Sequence, residues 1–214
     1  MNATPYYDRD GITVYHADCR DVLPNIDPAS VALLLTDPPY GIDLDTDYAA
    51  RMHRSGAPRW PDRVANDAEL FDPAPLLRDY RRLLLFGANY YADRLPLGSW
   101  VVWHKFDVAP ILSDCELAWH NLGGKRVSYF AHAISQDRTR MHPTQKPVAL
   151  MQWALDRWTK PGDLILDPYM GSGPIARAAQ LLGRRYIGIE LVEDYCSAAV
   201  NRLAQPSMFM EAVA

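Results

Sequence analysis

Residues 31–41 read VALLLTDPPYG. Behind an apolar run they bring together a carboxylate (Asp37), a backbone carbonyl (Pro38), a second proline (Pro39) and a phenol ring (Tyr40). Prolines cannot donate to a sheet ladder and hold their own φ at about −65°, so a strand has to stop there. Pro38 also biases Asp37 towards extended backbone. The apolar run predicts a short, fully buried strand. At that strand's carboxyl end the prolines make a stiff ledge, on the edge at which open α/β sheets bind ligands. The ledge offers two hydrogen-bond acceptors and an aromatic face. By themselves the same residues also suit a plain strand-ending turn, with Asp37 as a cap and Tyr40 as packing.

A second stretch, Gly162 to Glu190, reads GDLILDPYMGSGPIARAAQLLGRRYIGIE. Asp167 closes an apolar strand, and a turn runs from Pro168 and Tyr169 to Gly171, Ser172 and Gly173. A helix begins near Pro174, and a further strand ends in Glu190. Glycines let backbone approach a ligand closely, and an acid that ends the next strand accepts both hydroxyls of a ribose. The order of these parts predicts a cofactor containing adenosine. Gly171-Ser172-Gly173-x-x-Ala176 also satisfies the dinucleotide fingerprint, so a nicotinamide enzyme is the rival reading. Against it, Asp167 places negative charge where a pyrophosphate would sit at the helix N-terminus. An acid there suits the positively charged amino-acid end of S-adenosylmethionine.

Taken together, these motifs resemble the beta group of amino DNA methyltransferases, which methylate exocyclic nitrogens of adenine or cytosine. The matching segments are TDPPYG (36–41), HPTQKPVALM (142–151), LDPYMGSGP (166–174) and IGIE (187–190), with HAD (16–18) ending the first strand. RLLLFGANYYADRLP (82–96) and SDCELAW (113–119) also look like phage and prophage members. In that group the catalytic half precedes the cofactor half, a circular permutation of the common methyltransferase order. The resemblance therefore implies a permuted Rossmann-like α/β fold, S-adenosylmethionine as cofactor and double-stranded DNA with a flipped base as substrate.

The resemblance also implies roles for single residues. Asp37 and the Pro38 carbonyl would hold the target amino group, and Tyr40 would stack on the base. Asp18 would meet the cofactor's adenine, and Thr144 and Lys146 would lie beside its methionine part. An aspartate at position 37 goes mostly with adenine, so N6-adenine is expected. Cytosine N4, an RNA base and a non-catalytic nucleic-acid-binding relative are the alternatives. One departure stands out: Pro174 replaces the usual threonine, removing a hydroxyl and an N–H near the cofactor's carboxylate. A restriction partner fits such an enzyme.

These groups need a frame to position them. Strands are predicted at 12–17, 31–36, 83–86, 100–103, 164–167 and 185–190, and helices at 73–82, after Gly87, at 147–159 (with Pro147 first), 174–182 and 193–203. Such alternation argues for a mainly parallel, helix-covered sheet. At 214 residues, 49% hydrophobic and 22% charged, the chain suits one globular domain. It divides into a catalytic half (1–103), a small target-recognition insert (104–142) and a cofactor half (143–214).

No segment reaches the ~18 apolar residues of a membrane span. The start, MNATPYYDRD, lacks the pattern of a signal peptide, and a cytoplasmic, nucleoid-associated protein is expected. Cys19, Cys115 and Cys196 are odd in number and far apart, which argues against disulfides and zinc; no metal is expected. With a net charge of −4, DNA contact has to come from local clusters. Arg51, Arg54, Arg59 and Arg63 surround Trp60, and Lys125, Arg126, Arg138 and Arg140 form a weaker group; arginines with an aromatic suit phosphate contact. Residues 45–66 are expected to order only on DNA. The small insert predicts a short recognition site or a homodimer.

Overall fold

The computed structural model describes residues 4–43, 67–106, 108, 113–133 and 145–206. In chain order its elements are β1 (Tyr7–Arg9), β2 (Ile12–His16), α1 (Cys19–Val22), β3 (Leu33–Thr36), α2 (Ala74–Asp79), β4 (Leu83–Phe86) and β5 (Ser99–His104). Next come β6 (Cys115–His120), β7 (Val127–Ala131), α3 (Val148–Trp158), β8 (Leu164–Asp167), α4 (Pro174–Leu181), β9 (Arg185–Glu190) and α5 (Glu193–Leu203). Short 3-10 turns occupy Leu23–Asn25, Pro28–Ser30 and Ala88–Arg94. These elements form two units, one of Met1–Thr36 with Lys146–Ala214, the other of Asp37–Gln145.

In the first unit the strands run in the order β1-β2-β9-β8-β3. β2 pairs parallel with β9, β9 with β8 and β8 with β3. Only β1 is antiparallel, returning on β2 through Asp10 and Gly11, both at positive φ. Asp-Gly is the pair that a two-residue hairpin turn of the primed type demands. β3 and β8 are buried at every position, as befits parallel strands covered on both faces. Burial of Leu33, Leu34, Leu35, Ile165 and Leu166 stabilises this centre by roughly 1.5–3 kcal/mol per side chain. α4 begins at Pro174, whose missing N–H costs nothing at a first helical position. Gly173 precedes it in left-handed backbone, and a Cβ there would lie 2.7 Å from the Cβ of Ala199 on α5. The glycine turn is thereby pressed against the last helix.

In the second unit the order is β4-β6-β5-β7. β6 runs antiparallel to both of its neighbours, whereas β5 and β7 are parallel. The core gathers Phe71, Leu76, Leu83, Leu84, Leu85, Phe86, Tyr91, Val101, Ala118 and Trp119. Trp119 donates its ring N–H to the Pro96 carbonyl at 3.0 Å.

Two sequence expectations change here. Residues 104–142, where no strand is predicted from the sequence, contribute β6 and β7 among their described residues. CELAWH gives no clean alternation because one end of β6 is half-buried and the other fully buried. Pro147 caps α3 in extended backbone (ψ 138°) and is not its first residue. Its carbonyl accepts from the Leu150 and Met151 N–H groups, at 3.1 and 3.3 Å.

Candidate active site

Parallel pairing brings the carboxyl ends of β2, β9 and β8 to one edge of the first unit. His16 stands opposite Glu190, and Gly188 opposite Asp167. Ala17 donates to the Glu190 carbonyl at 2.9 Å, so Asp18, the next residue, leaves the sheet beside Glu190. Both Glu190 oxygens are anchored, Oε2 by the Gly171 N–H and Oε1 by the Val192 N–H, each at 2.8 Å. Burial pushes the Glu190 pKa above the ordinary range, opposed by those N–H groups. A Cβ at Gly171 would meet nothing within 4 Å, so the turn leaves open space over its backbone. An acid fixed in orientation beside an open glycine backbone fits an adenosine-containing cofactor.

Asp18 caps α1, accepting from the Arg20 N–H at 2.9 Å, and pairs with the Arg20 guanidinium, which holds its pKa low. Tyr169 is half-buried, and burial raises the pKa of its phenol. Pro168 is buried. Asp167 is turned wholly inward at 0% exposure. It accepts from the Thr36 hydroxyl at 2.6 Å, the Tyr186 hydroxyl at 2.9 Å and the Tyr169 N–H at 3.3 Å. Its carboxylate thus ties three strands and the start of the turn together.

Ser172 is buried, and Arg202 on α5 donates to its carbonyl at 2.9 Å. Arg202 is itself 1% exposed, and nothing in the sequence singles it out. Lys146, 2% exposed, is no solvated surface lysine.

The ledge belongs to the second unit. Tyr40 donates its hydroxyl to Asp37 Oδ1 at 2.5 Å. Its ring lies on Tyr90, 4.9 Å between centroids and 16° from parallel. Burial, then the charges of Asp37 and Glu116, raise the Tyr40 pKa well above that of free tyrosine. Lys105, itself buried, donates to Glu116 at 2.8 Å and so offsets that second carboxylate. Past the ledge, Asp67 Oδ1 accepts from the Gly41 N–H at 2.7 Å, and the Asp67 carbonyl accepts from the Asp43 N–H at 2.8 Å. Asp67 and Tyr90 are supports that sequence reasoning misses. Nothing in the local pattern around Asp67 marks it, whereas Tyr90 sits in a segment notable only for its resemblance.

Gly87 follows β4 in left-handed backbone (φ 65°), and a Cβ on it would fall 1.8 Å from Tyr40 Cε1. Gly87→Ala is therefore expected to cost about 3 kcal/mol, from backbone strain and overpacking together. Urea unfolding reads this directly, and an unchanged midpoint would contradict it.

Lys125 and Arg126 are exposed immediately before β7. Arg51, Arg54, Arg59, Trp60, Arg63, Arg138, Arg140 and Thr144 lie outside the described residues, as does the 45–66 segment expected to order on DNA. Among the described residues no group of His, Cys, Asp and Glu assembles that could hold a metal ion, and no helix is long and apolar enough to cross a membrane.

The fold is that of S-adenosylmethionine-dependent DNA methyltransferases. The crystal structure of an M1.HpyAVI–SAM complex aligns with a TM-score of 0.58 at 24% identity, covering 90% of this chain and 99% of that one. PvuII DNA methyltransferase, which is cytosine-N4-specific, aligns with a TM-score of 0.63 at 15% identity, covering 99% and 90%. Residues 102–201 match the N6/N4 DNA methylase family. Type II methyltransferase M2.DpnII of Streptococcus pneumoniae is 26% identical over 93% of this chain and 92% of its own length. YubD of Escherichia coli (strain K12) is 47% identical over 72 residues, 34% of this chain and 32% of that protein.

Proposed function

We propose that the chain methylates adenine N6 in DNA, with Asp37 and the Pro38 carbonyl as acceptors for the target amino group. The observation that carries this reading is the ledge itself: a carboxylate bonded to a stacked tyrosine, behind two prolines that forbid drift. An exocyclic amino group is a weak nucleophile because its lone pair is delocalised into the ring. Two acceptors holding its N–H bonds turn that lone pair out of the ring. Positioning and electrostatics of this kind supply most of the rate. Bound S-adenosylmethionine supplies the methyl group from its sulfonium. Glu190, fixed by the Gly171 and Val192 N–H groups, accepts the ribose hydroxyls. Asp18 meets the adenine, Lys146 and Thr144 lie near the methionine part, and Gly171–Gly173 let the backbone come close. Asp167 acts through the turn it ties down. The motif order is read as circularly permuted.

Flipping the base out of the duplex costs a few kcal/mol, and the Tyr40–Tyr90 stack supplies aromatic surface worth ~1–3 kcal/mol per base. Lys125 and Arg126, with the arginines around Trp60 and with Arg138 and Arg140, contact phosphates. Binding that rests on few such contacts weakens with salt. A homodimer supplies further DNA surface.

The test is nucleoside mass spectrometry of duplex DNA incubated with the protein and S-adenosylmethionine. N6-methyldeoxyadenosine is expected. N4-methyldeoxycytidine would transfer the ledge to cytosine, as the N4-specific fold relative suggests. No methylated nucleoside in either DNA or RNA would overturn the enzymatic reading.

A further inference from the structure

We propose that Tyr40 positions Asp37 through its hydroxyl, and that Tyr90 holds Tyr40 in the orientation this requires. The inference rests on the reading of Asp37 as the acceptor for the target amino group. A carboxylate swings readily about its last torsion, which is broad and twofold. On the ledge that freedom is removed: the Tyr40 hydroxyl donates to Asp37 Oδ1 at 2.5 Å. Pro38 and Pro39 lie between donor and acceptor, so the backbone linking them is stiff.

The phenol is set from its ring as well. Tyr90 lies nearly parallel to it at 4.9 Å, and the Cα of Gly87 is close enough that a side chain there would strike Cε1. Tyr90 is 43% exposed, an aromatic ring left near solvent while committed to this stack. Burial and the Asp37 and Glu116 charges keep the Tyr40 proton in place far above neutral pH, so the hydroxyl donates under all working conditions. The carboxylate plane is therefore fixed before any base arrives, which makes the ledge preorganised rather than adaptable. A ring that served only to stack on the base would have no need of its hydroxyl.

Tyr40→Phe separates the two roles, because it keeps the ring and its volume and removes only the oxygen. With the full chain, kcat for methyl transfer to duplex DNA is expected to fall on the order of 10–100-fold, as misplaced reacting groups do. The KM values for DNA and S-adenosylmethionine, and the urea midpoint, are expected to stay within about twofold of the parent, the pattern of a contribution made only in the transition state. Base flipping, read by 2-aminopurine fluorescence at the target position, should be retained. Tyr90→Ala should lower kcat in the same direction, and Tyr90→Phe should restore it. A Tyr40→Phe protein with parental kcat would overturn the proposal while leaving the methyltransferase reading intact. A parent that transfers no methyl group would overturn the reading, and the proposal with it.

Discussion

Asp37→Ala is expected to slow methyl transfer by on the order of 10²–10³-fold, as loss of one preorganised electrostatic partner does at other active sites. Calorimetry should at the same time show S-adenosylmethionine binding close to that of the parent. The reason for the split lies in where the groups belong. Asp37 is part of the unit that begins at that residue, whereas Asp18, Glu190 and the Gly171–Gly173 turn all belong to the other. Asp37→Asn is the stricter version, since it keeps the shape and one acceptor oxygen but removes the charge. Near-parental turnover in Asp37→Ala would remove the ledge from the chemistry.

Glu190→Gln is the second large effect, and it falls on affinity. Hydrogen bonds to a charged acceptor are worth about 1.5–3 kcal/mol, so S-adenosylmethionine binding should weaken roughly 10–100-fold. The pH dependence carries more information than the magnitude. Burial raises the Glu190 pKa, so the parent takes up this proton above the usual glutamate value of about 4.3. Protonation spoils the acceptor, and affinity falls as pH drops through the raised value. Stability responds with the opposite sign. The folded state binds the proton more tightly than the unfolded chain, so this residue's contribution to stability declines as pH rises from the usual value through the raised one. Both dependences should vanish in Glu190→Gln. Titration calorimetry and urea unfolding across acidic pH would check them, and an unaltered affinity profile in the variant would assign Glu190 a purely structural role.

Some parts of this protein are legible in its sequence, and others are hidden for physical reasons. β4, β8, β9 and α5 begin and end where their apolar runs, caps and acids place them. β1 escapes notice although Asp10-Gly11 marks its hairpin, because three residues with two exposed leave no alternation to read. β6 mixes half-buried and buried positions in one strand, which erases the period on which strand recognition depends. At the site, Asp37, Tyr40, Glu190 and the glycine turn carry their chemistry in residue type and spacing. Asp67, Gly87, Tyr90 and Arg202 act through partners distant in sequence or through backbone conformation. Asp167 has both kinds of information: its type and place at a strand end are legible, whereas its bonds to Thr36 and Tyr186 inside the sheet are made across strands and are not.

The pairing of β2 with β9 joins residues near the two ends of the described chain, as in the register of Ile12 with Tyr186. The second unit lies between them in sequence. On a ribosome β2 emerges with only β1 to pair with, and its other edge must wait for β9 while the whole of that unit is synthesised. Contacts of such long sequence separation form late and slowly. The buried Arg202 that grips Ser172 comes later still, on the last helix. The edge that carries Asp18 and Glu190 therefore cannot assemble on a half-made chain, and a nascent protein has its ledge residues in hand long before that edge exists.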